Sequence, residues 1–342
     1  MATNKASEGP SPALFFQTVN GHMRTAALRA AIELEFFTAL AEGHRTPDAL
    51  AQRCGGAERG MRMLGDYLTV GGFLTKAGDE YQLTPDSQVF LTKTSPAYLG
   101  PTLDFMLSRP LVEGFTQLTG AVRKGGTVIG DNGTLAPEHP DWVTFARSMV
   151  PLMKGPAEWM AGWVKESAPE IRKILDVAAG HGMFGIEIGR ALPQAEVTAQ
   201  DWPNVLTVAR ENARAAGIAD RFHELPGSAF EVELGGEYDL VLLTNFLHHF
   251  DVPTCEAFLK KVYDALKPGG YVMTLEFIPN EDRISPAPMA EFCLIMLATT
   301  PAGDAYVLSE YDRMFRQAGF GDSLMEEVPA SNERVIITQK VK

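Results

Sequence analysis

The sequence predicts an α/β protein in which a mainly helical N-terminal region precedes a mostly parallel sheet. Three observations support this fold class. Apolar residues recur at helical spacing through much of the first 163 residues, and strands alternate with helices after residue 171. Two strand-like segments, near 322–328 and 333–339, lie too close together for a crossover helix and should pair antiparallel at one sheet edge. We divide the chain into domains at 1–165 and 166–342.

The N-terminal region has the order helix, helix, helix, hairpin, which is typical of a winged helix. Large apolar residues at helical spacing run from Leu14 to Leu40, and the hairpin is expected to turn at Gly78-Asp79. The candidate recognition helix, residues 57–68, mixes basic with acidic residues and has no basic stripe for phosphates. We therefore expect this module to serve self-association and not DNA binding.

The composition describes an ordinary soluble globular protein. Of 342 residues, 45% are hydrophobic and 21% are charged. Acidic residues outnumber basic ones 43 to 30, and the net charge of -13 argues against nucleic acid as a partner. No apolar run approaches the length of a membrane span, the first ten residues lack the apolar core of a signal peptide, and three scattered cysteines predict no disulfide framework or metal site. We expect a cytoplasmic protein with no membrane partner.

Residues 174–185, Ile-Leu-Asp-Val-Ala-Ala-Gly-His-Gly-Met-Phe-Gly, are typical of a buried strand, a glycine turn and a helix start. Gly180, Gly182 and Gly185 satisfy the GxGxxG pattern of dinucleotide sites, in which a helix N-terminus receives a pyrophosphate. A carboxylate at the mouth of that turn, Asp176, would repel a pyrophosphate and attract the ammonium and sulfonium of S-adenosylmethionine. The pattern favours S-adenosylmethionine, with a nicotinamide dinucleotide as the alternative.

A second acid, Asp201, ends the next predicted strand at 196–200. An acid about 20 residues beyond the glycine turn suits a ribose, because a carboxylate can accept a hydrogen bond from each of its two hydroxyls. The alternative is that Asp201 only caps the helix that starts near Pro203. Asp201 supports a bound nucleoside without choosing between the two cofactors, whereas the antiparallel strand pair favours S-adenosylmethionine.

Candidate catalytic residues lie just after the fourth predicted strand of the sheet, 238–244, and on the fifth, 270–277. The fourth strand leads into Asn245-Phe-Leu-His-His-Phe-Asp251, and Lys267-Pro-Gly-Gly270 is expected to turn sharply from a helix into the fifth, which carries Glu276. Ligands bind at the carboxyl ends of parallel strands, and histidine is a natural general base near neutral pH. A carboxylate bonded to one imidazole nitrogen would leave the other free to take a proton. The alternative is a structural histidine bonded to backbone.

These motifs together resemble the class I methyltransferase fold, and the whole chain resembles the two-domain small-molecule O-methyltransferases of plant and bacterial secondary metabolism. The family's glycine motif matches residues 176–182, its strand-two acid matches Asp201, and its Leu-His-Asp-Trp-Asp motif matches Leu247-His-His-Phe-Asp251. Its orienting carboxylate matches Glu276. Residues 64–85, with Gly-Phe-Leu and Leu-Thr-Pro, resemble the family's dimerisation domain.

The resemblance implies a Rossmann-like class I methyltransferase sheet preceded by a winged-helix-like dimerisation domain that forms a homodimer. It implies methyl transfer from S-adenosylmethionine to a hydroxyl of a small aromatic or polyketide-like molecule, with His248 as general base oriented by Glu276. The implied cofactor-binding residues are Asp176, Ala178, Gly180, Gly182, Asp201, Trp202, Gly227, Ser228, Ala229, Phe230 and Asn245. The implied acceptor pocket is lined by Phe145, Met149, Met153, His249, Phe292 and Met296.

Four positions depart from the family pattern. Ala178 replaces the first glycine, Ser228 replaces the acid of the third nucleoside motif, His249 replaces an aspartate beside the base, and Ala305 stands at the place of a second catalytic glutamate. These changes leave N- or C-methylation, or a relative that does not methylate, as alternatives on the same scaffold. A nicotinamide-dependent dehydrogenase and a small-molecule-responsive winged-helix regulator are alternatives from other classes. The Phe- and Met-rich pocket positions are as consistent with ordinary core as with a substrate wall.

Overall fold

The structure is a computed structural model that describes residues 9–135 and 140–341. The chain divides into two compact units, the first ending at Leu103 and the second beginning at Asp104. The boundary predicted at 165/166 lies inside the second unit, and it stays a prediction about functional domains. None of the helices in the described residues is long and apolar enough to cross a membrane.

The N-terminal unit packs its helices around a small apolar core that includes Phe36, Leu50 and Tyr81. The Tyr81 hydroxyl donates to the Asp66 carboxylate at 2.7 Å, which satisfies the polar end of this buried ring. The order of elements confirms the predicted helices followed by a hairpin with its turn at Gly78-Asp79. The elements are α1 (Ala13–Val19), α2 (Gly21–Glu33), α3 (Phe36–Ala41), α4 (Pro47–Cys54), α5 (Glu58–Val70), β1 (Leu74–Ala77), β2 (Glu80–Leu83) and α6 (Pro85–Phe90).

The second unit is a sheet covered by helices on both faces. Its strands are β3 (Lys173–Val177), β4 (Glu196–Asp201), β5 (Phe222–Pro226), β6 (Tyr238–Thr244), β7 (Leu266–Glu276), β8 (Phe320–Glu327) and β9 (Arg334–Lys340). A helix that crosses the division between the units, α7 (Thr102–Met106), is followed by α8 (Arg109–Thr116), α9 (Leu118–Lys124), α10 (Pro140–Ser148), α11 (Val150–Ser167), α12 (Met183–Ala191), α13 (Pro203–Ala215), α14 (Val252–Ala265), α15 (Ala287–Thr299) and α16 (Leu308–Ala318).

The sheet has the strand order β5-β4-β3-β6-β7-β9-β8. The first five strands in this order are parallel, whereas β9 pairs antiparallel with both β7 and β8. This arrangement confirms the predicted α/β fold with its antiparallel C-terminal strand pair. Alternate residues of β9 enter opposite cores: Val335 and Ile337 pack with α11 and α12, whereas Ile336 packs with α14 and α16.

The sharp turn predicted at residues 267–270 is not a separate connection. Strand β7 begins at Leu266, directly after α14 ends at Ala265, so these residues belong to the strand. The pairing with β6 shifts between Tyr238 and Leu240, and Gly269 has a φ of 80°. The strand therefore absorbs the Pro-Gly-Gly sequence as an irregularity in its register, since glycine tolerates the left-handed region.

Candidate active site

The carboxyl ends of β3, β4, β6 and β7 meet at one edge of the sheet, because these strands are parallel. Strand β9 runs the other way, so it begins at this same edge. Two residues at strand ends adopt left-handed backbone conformations that disfavour side chains, Ala178 with φ 50° and Asn245 with φ 54°. Strain of this kind concentrates at functional sites, and it marks the adjacent ends of β3 and β6.

Glycine suits the turn after β3 for two reasons, its left-handed backbone and, at Gly182, the close approach of a neighbouring helix. Gly180 and Gly182 both have positive φ, at 57° and 74°. A Cβ on Gly182 would lie 3.0 Å from the Cβ of Ala209, so glycine lets α12 approach α13 closely. A Cβ on Gly180 would have no atom nearer than 3.9 Å, so the turn has room on that side. Ala178 holds the same left-handed conformation with a side chain.

Asp176 is fully buried, with 0% of its surface exposed. Its Oδ2 accepts a hydrogen bond from the Gly185 amide at 3.0 Å, which ties the end of β3 to the start of α12. Its Oδ1 is buried and has no partner. Burial raises the pKa of Asp176 to about 8, against the opposing effect of the Gly185 hydrogen bond. One oxygen of this acid is therefore structural, and the other has an unused acceptor.

Asp201 is held at the edge by two backbone amides. Its Oδ2 accepts from Gly180 at 2.8 Å and its Oδ1 accepts from Trp202 at 2.7 Å. The N-cap residue of α13 is Trp202, whose side chain makes no capping hydrogen bond. Burial raises the pKa of Asp201 to about 6. Each carboxylate oxygen has two lone pairs, so Asp201 keeps one acceptor site on each.

The turn at 227–230 is fastened to Asp201 and to α14. The Gly227 amide donates to the Asp201 carbonyl at 3.0 Å, and Lys261 Nζ donates to the carbonyls of Ala229 and Phe230 at 2.9 and 3.0 Å. The Ser228 hydroxyl accepts from the Phe230 amide at 3.3 Å. The Phe230 ring is partly exposed and packs in an aromatic cluster with Phe246, Phe250 and Phe258.

Asn245 follows the end of β6 and approaches helix α11. Its amide N–H donates to the Leu275 carbonyl at 2.8 Å, so the left-handed turn stays attached to β7. Its Nδ2 lies 3.7 Å from the sulfur of Met153, which is buried on α11. Asn245 therefore connects the end of β6 with one of the predicted pocket residues.

His248 and Glu276 form a buried pair, as their positions in the sequence predicted. His248 is 3% exposed and Glu276 is 0% exposed, and His248 Nδ1 hydrogen-bonds Glu276 Oε2. Glu276 Oε1 accepts from the amides of Phe246 and Leu247 at 3.0 and 2.9 Å. Every oxygen of Glu276 is therefore engaged, and all three donors come from the segment that carries His248.

Burial lowers the pKa of His248, so its imidazole is neutral near pH 7. Burial also raises the pKa of Glu276, and the hydrogen bonds that it accepts from the 246–248 segment oppose that shift. A neutral imidazole whose Nδ1 donates to the carboxylate has Nε2 as its free acceptor. The arrangement can accept one proton at Nε2 and stabilise the resulting imidazolium.

The predicted pocket residues lie on α10, at the start of α11, beside His248 in the chain and on α15. The ring centroid of Phe292 on α15 lies 4.8 Å from that of His248, and the ring centroid of His249 lies 4.2 Å from that of His248. Phe145 lies at the end of α10, and Met149 and Met153 follow it onto α11. Met296 is buried one turn after Phe292 on α15. The structure therefore brings Phe292 and His249 into contact with His248, and Met153 close to Asn245.

Three further aromatic residues, which the sequence did not identify, pack against the predicted pocket residues. Trp142 packs edge-on against both His249, at 5.6 Å, and Phe145, at 6.0 Å. Phe105 packs against Phe145 at 4.9 Å, and Phe277 stacks on Phe292 at 4.0 Å with an interplanar angle of 9°. Phe277 could have been found from its position directly after Glu276. Trp142 and Phe105 lie far away in sequence, and no local pattern marks them.

Residues 303–305, where the family pattern has a second catalytic glutamate, pack against the backbone of His248. The Asp304 amide donates to the His248 carbonyl at 2.9 Å, and a Cβ on Gly303 would lie 2.3 Å from that same oxygen. Ala305 is buried beside it. The segment supports the histidine through its backbone, and its Ala305 carries no carboxyl.

Comparison with known proteins identifies the family of the chain. Residues 165–321 match the O-methyltransferase domain family, and residues 16–93 match the O-methyltransferase dimerisation domain family. The chain is 30% identical over 311 residues to 3-hydroxy-5-methyl-1-naphthoate 3-O-methyltransferase of Streptomyces sahachiroi, covering 90% of this chain and 89% of that protein. The chain belongs to the O-methyltransferase family.

Solved structures agree with this family. A protein of Nostoc punctiforme PCC 73102 that is assigned as an O-methyltransferase superposes with a TM-score of 0.95 at 52% identity, covering 97% of this chain and all of that one. PigF with SAH, the demethylated product of the cofactor, superposes with a TM-score of 0.83 at 25% identity, covering 97% and 100%. The methyl donor of this O-methyltransferase is S-adenosylmethionine, and the Streptomyces relative is named for a small-molecule substrate. The dehydrogenase alternative is therefore wrong.

The residues at the strand edge of this O-methyltransferase fit its cofactor. Asp201 has a free acceptor on each oxygen, and Oδ1 of Asp176 has no partner. Hydrogen-bond acceptors of this kind suit the ribose hydroxyls and the ammonium group of S-adenosylmethionine. The open side of Gly180 leaves space beside the turn. These residues could hold the nucleoside between β3 and β4.

Proposed function

We propose that this O-methyltransferase methylates a hydroxyl of a planar aromatic molecule, with His248 as general base and Glu276 as the group that orients it. The buried hydrogen bond from His248 Nδ1 to Glu276 carries this proposal. Glu276 is anchored by two further amides of the same segment, so the imidazole is held in one orientation and one tautomer.

S-adenosylmethionine, when bound, supplies an electrophilic methyl group on a positively charged sulfur. Nε2 of His248 accepts the proton of the acceptor hydroxyl as its oxygen forms the new bond to carbon. Methyl transfer would leave a methyl ether and a neutral thioether, with the electron pair of the broken C–S bond on sulfur. Glu276 stabilises the imidazolium that results, and the proton then leaves to solvent. The protein contributes alignment of the reactants and transfer of the proton. Proton transfer to a positioned base by itself accelerates a reaction by about 10²–10⁴-fold.

The aromatic wall supports a flat, apolar acceptor. The stacked pair of Phe277 and Phe292 lies beside His248, and Trp142 packs edge-on against His249. His249 Nδ1 is buried without a partner, and burial keeps the pKa of His249 well below its usual value. A neutral, hydrogen-bonding imidazole inside an aromatic wall suits a fused-ring phenol with a second polar substituent. The Streptomyces relative is named for such a substrate, a hydroxynaphthoate.

We further propose a homodimer formed through the N-terminal unit. Helices α1 and α2 expose large apolar residues, with Leu14 at 74% and Phe15 at 64%, together with Phe16, Val19 and Met23. A patch of this kind on one chain indicates a surface that a partner covers. The match of residues 16–93 to a dimerisation domain supports a second copy as that partner. Light scattering on the wild type and on Phe15→Glu tests this, since a monomeric wild type would contradict it.

The proposed chemistry is tested with a panel of hydroxynaphthoic acids and simpler phenols, using tritium-labelled S-adenosylmethionine. We expect methyl transfer to at least one fused-ring hydroxyl, with loss of about 10²–10⁴-fold in rate for His248→Ala. S-adenosylmethionine affinity, measured by calorimetry, should be unchanged in that variant. Methyl transfer to an amine or a carbon acceptor, or an unaltered rate in His248→Ala, would contradict the proposal.

A further inference from the structure

His248 lies in a short 3-10 turn, Leu247–His249, whose backbone is held by groups from other parts of the chain. At the start of the turn, Glu276 accepts hydrogen bonds from the amides of Phe246 and Leu247 at 3.0 and 2.9 Å. These bonds fix where the turn begins. The direction of the imidazole depends on the end of the turn as well, because His248 lies between the two.

The carbonyl groups at the end of this turn accept hydrogen bonds from residues 303–306. The Asp304 amide donates to the His248 carbonyl at 2.9 Å. The Tyr306 hydroxyl donates to the Phe250 carbonyl at 2.6 Å. The turn is therefore held from two directions, by a carboxylate at its start and by a phenol just beyond its end.

The phenol of Tyr306 is well placed for this task. Tyr306 is 4% exposed, and its ring packs edge-on against that of Tyr311, with the ring centroids 5.7 Å apart. Burial raises the pKa of Tyr306, so its hydroxyl keeps the proton that it donates. The thiol of Cys255 on α14 adds a weaker bond, to the Leu247 carbonyl at 3.2 Å. A buried phenol needs a partner for its hydroxyl, and here that partner is the backbone beside the proposed base.

We propose that Tyr306 is a positioning residue for His248, because its hydroxyl fixes the end of the turn and so directs Nε2 towards the acceptor hydroxyl. The inference rests on the proposed function, in which His248 is the base. Proton transfer requires the two groups within hydrogen-bond reach, so a small rotation of the turn is enough to slow it. Ala305 has no carboxyl to offer a reacting group, and the segment around it serves proton transfer indirectly, through the geometry of the imidazole.

A matched pair of tyrosine variants isolates this hydrogen bond. Tyr306→Phe removes the hydroxyl and keeps the ring. Tyr238→Phe is the control, because Tyr238 is also 4% exposed and its hydroxyl also donates to a backbone carbonyl, that of Leu234 at 2.9 Å. Tyr238 begins β6, at the end of that strand away from the active site. Both variants lose one buried hydrogen bond, and thermal unfolding compares their losses of stability.

The kinetic test measures methyl transfer to the hydroxynaphthoic acids and phenols of the acceptor panel. We expect Tyr306→Phe to lower kcat by about tenfold, the effect of one well-placed hydrogen bond, with the KM and Kd for S-adenosylmethionine unchanged. Tyr238→Phe should keep the wild-type kcat. Added to His248→Ala, Tyr306→Phe should cause no further loss, because a residue that acts through the base has no effect once the base is removed.

Nuclear magnetic resonance tests the same geometry without an acceptor. The Nδ1 proton of His248, which is hydrogen-bonded to Glu276, should give a downfield resonance in protein that carries isotope-labelled histidine. Its loss in His248→Ala identifies it. We expect this resonance to shift or broaden in Tyr306→Phe and to keep its wild-type position in Tyr238→Phe.

Four results would overturn the inference. A wild-type kcat in Tyr306→Phe, an equal loss in Tyr238→Phe, or a further loss when Tyr306→Phe is added to His248→Ala would each show that the hydroxyl does not act through the base. An unchanged His248 resonance in Tyr306→Phe would show that the hydroxyl does not orient the imidazole. These failures leave His248 as the base. If His248→Ala alone keeps the wild-type rate, the proposed function fails, and the inference about Tyr306 fails with it.

Discussion

Glu276 and Glu333 are both buried acids at the same edge of the sheet, the first at the end of β7 and the second immediately before β9. They differ in their hydrogen bonds. Glu276 accepts from two backbone amides and from His248, and neither oxygen is left free. Glu333 has one oxygen, Oε1, that is buried without a partner. A carboxyl with complete bonding holds one defined geometry, whereas an incompletely bonded one is retained at a cost.

The two acids belong to opposite faces of the sheet. Arg334 is the strand partner of Glu276, so their side chains share a face, and Glu333 is the residue before Arg334. The core on the face of Glu276 includes residues of α14 and α16, and the core on the other face includes residues of α11 and α12.

We expect the largest effect on the rate of methyl transfer from Glu276→Gln. The amide cannot accept from His248 and both backbone donors without leaving an N–H unmatched, so the imidazole loses its orientation. We expect the single-turnover rate of methyl transfer to fall by about 10²–10⁴-fold, with S-adenosylmethionine affinity unchanged. The double variant with His248→Ala should be no slower than the slower single variant, since the two residues act as a unit. A weakened Kd with a normal rate would contradict the role that we assign to Glu276.

Gly303→Ala should disturb the Glu276 side through the backbone. The new Cβ would lie 2.3 Å from the His248 carbonyl, so either Gly303 or His248 must move. We expect a loss of about 1–3 kcal/mol in the free energy of unfolding, together with slower methyl transfer. Gly162→Ala on α11 is the matched control, because nothing lies within 4 Å of its Cβ and alanine favours a helix. Equal stability of Gly303→Ala and this control would show that the close packing is not needed.

Glu333 should make stability depend on pH. Its folded-state pKa of about 7 lies above the ordinary value of 4.5, so the folded chain keeps a proton that the unfolded chain releases between these values. The stability that this proton contributes is present below pH 4.5 and is lost as pH rises through 7. Relative to Glu333→Gln, the wild type should lose on the order of 1–3 kcal/mol between pH 5 and pH 8. Urea unfolding at both pH values measures this, and parallel curves for the two proteins would show that Glu333 is ionised throughout.

The smallest effect is expected from Ala178→Gly, which restores the family's glycine. The left-handed conformation at φ 50° costs alanine about 1–2 kcal/mol, and glycine loses about 0.5–1 kcal/mol through its greater freedom in the unfolded chain. We expect a gain of less than about 1 kcal/mol in the free energy of unfolding. Ala199→Gly, on the neighbouring strand β4, should be destabilising. A destabilised Ala178→Gly would mean that the methyl group of Ala178 makes a contact that outweighs its strain.

Local sequence patterns were enough for the fold and for part of the site. The His248 and Glu276 pairing could be predicted because each residue follows a strongly apolar parallel strand, and neighbouring parallel strands end at one edge. The glycine turn and Asp201 could be placed for the same reason. The turn at 267–270 was predicted wrongly, because a register shift in β7 absorbs residues that alone are typical of a loop.

The sequence by itself determined the α/β fold, the family, the cofactor and the two residues proposed for proton transfer, because these depend on short motifs and on periodic burial. Only the tertiary structure decided which distant residues complete the site. Trp142 and Phe105 reach the pocket from helices far away in sequence, and Glu333 reaches the edge because β9 runs antiparallel to β7. A side chain's distance from a motif along the chain carries no information about a contact that strand order and helix packing create.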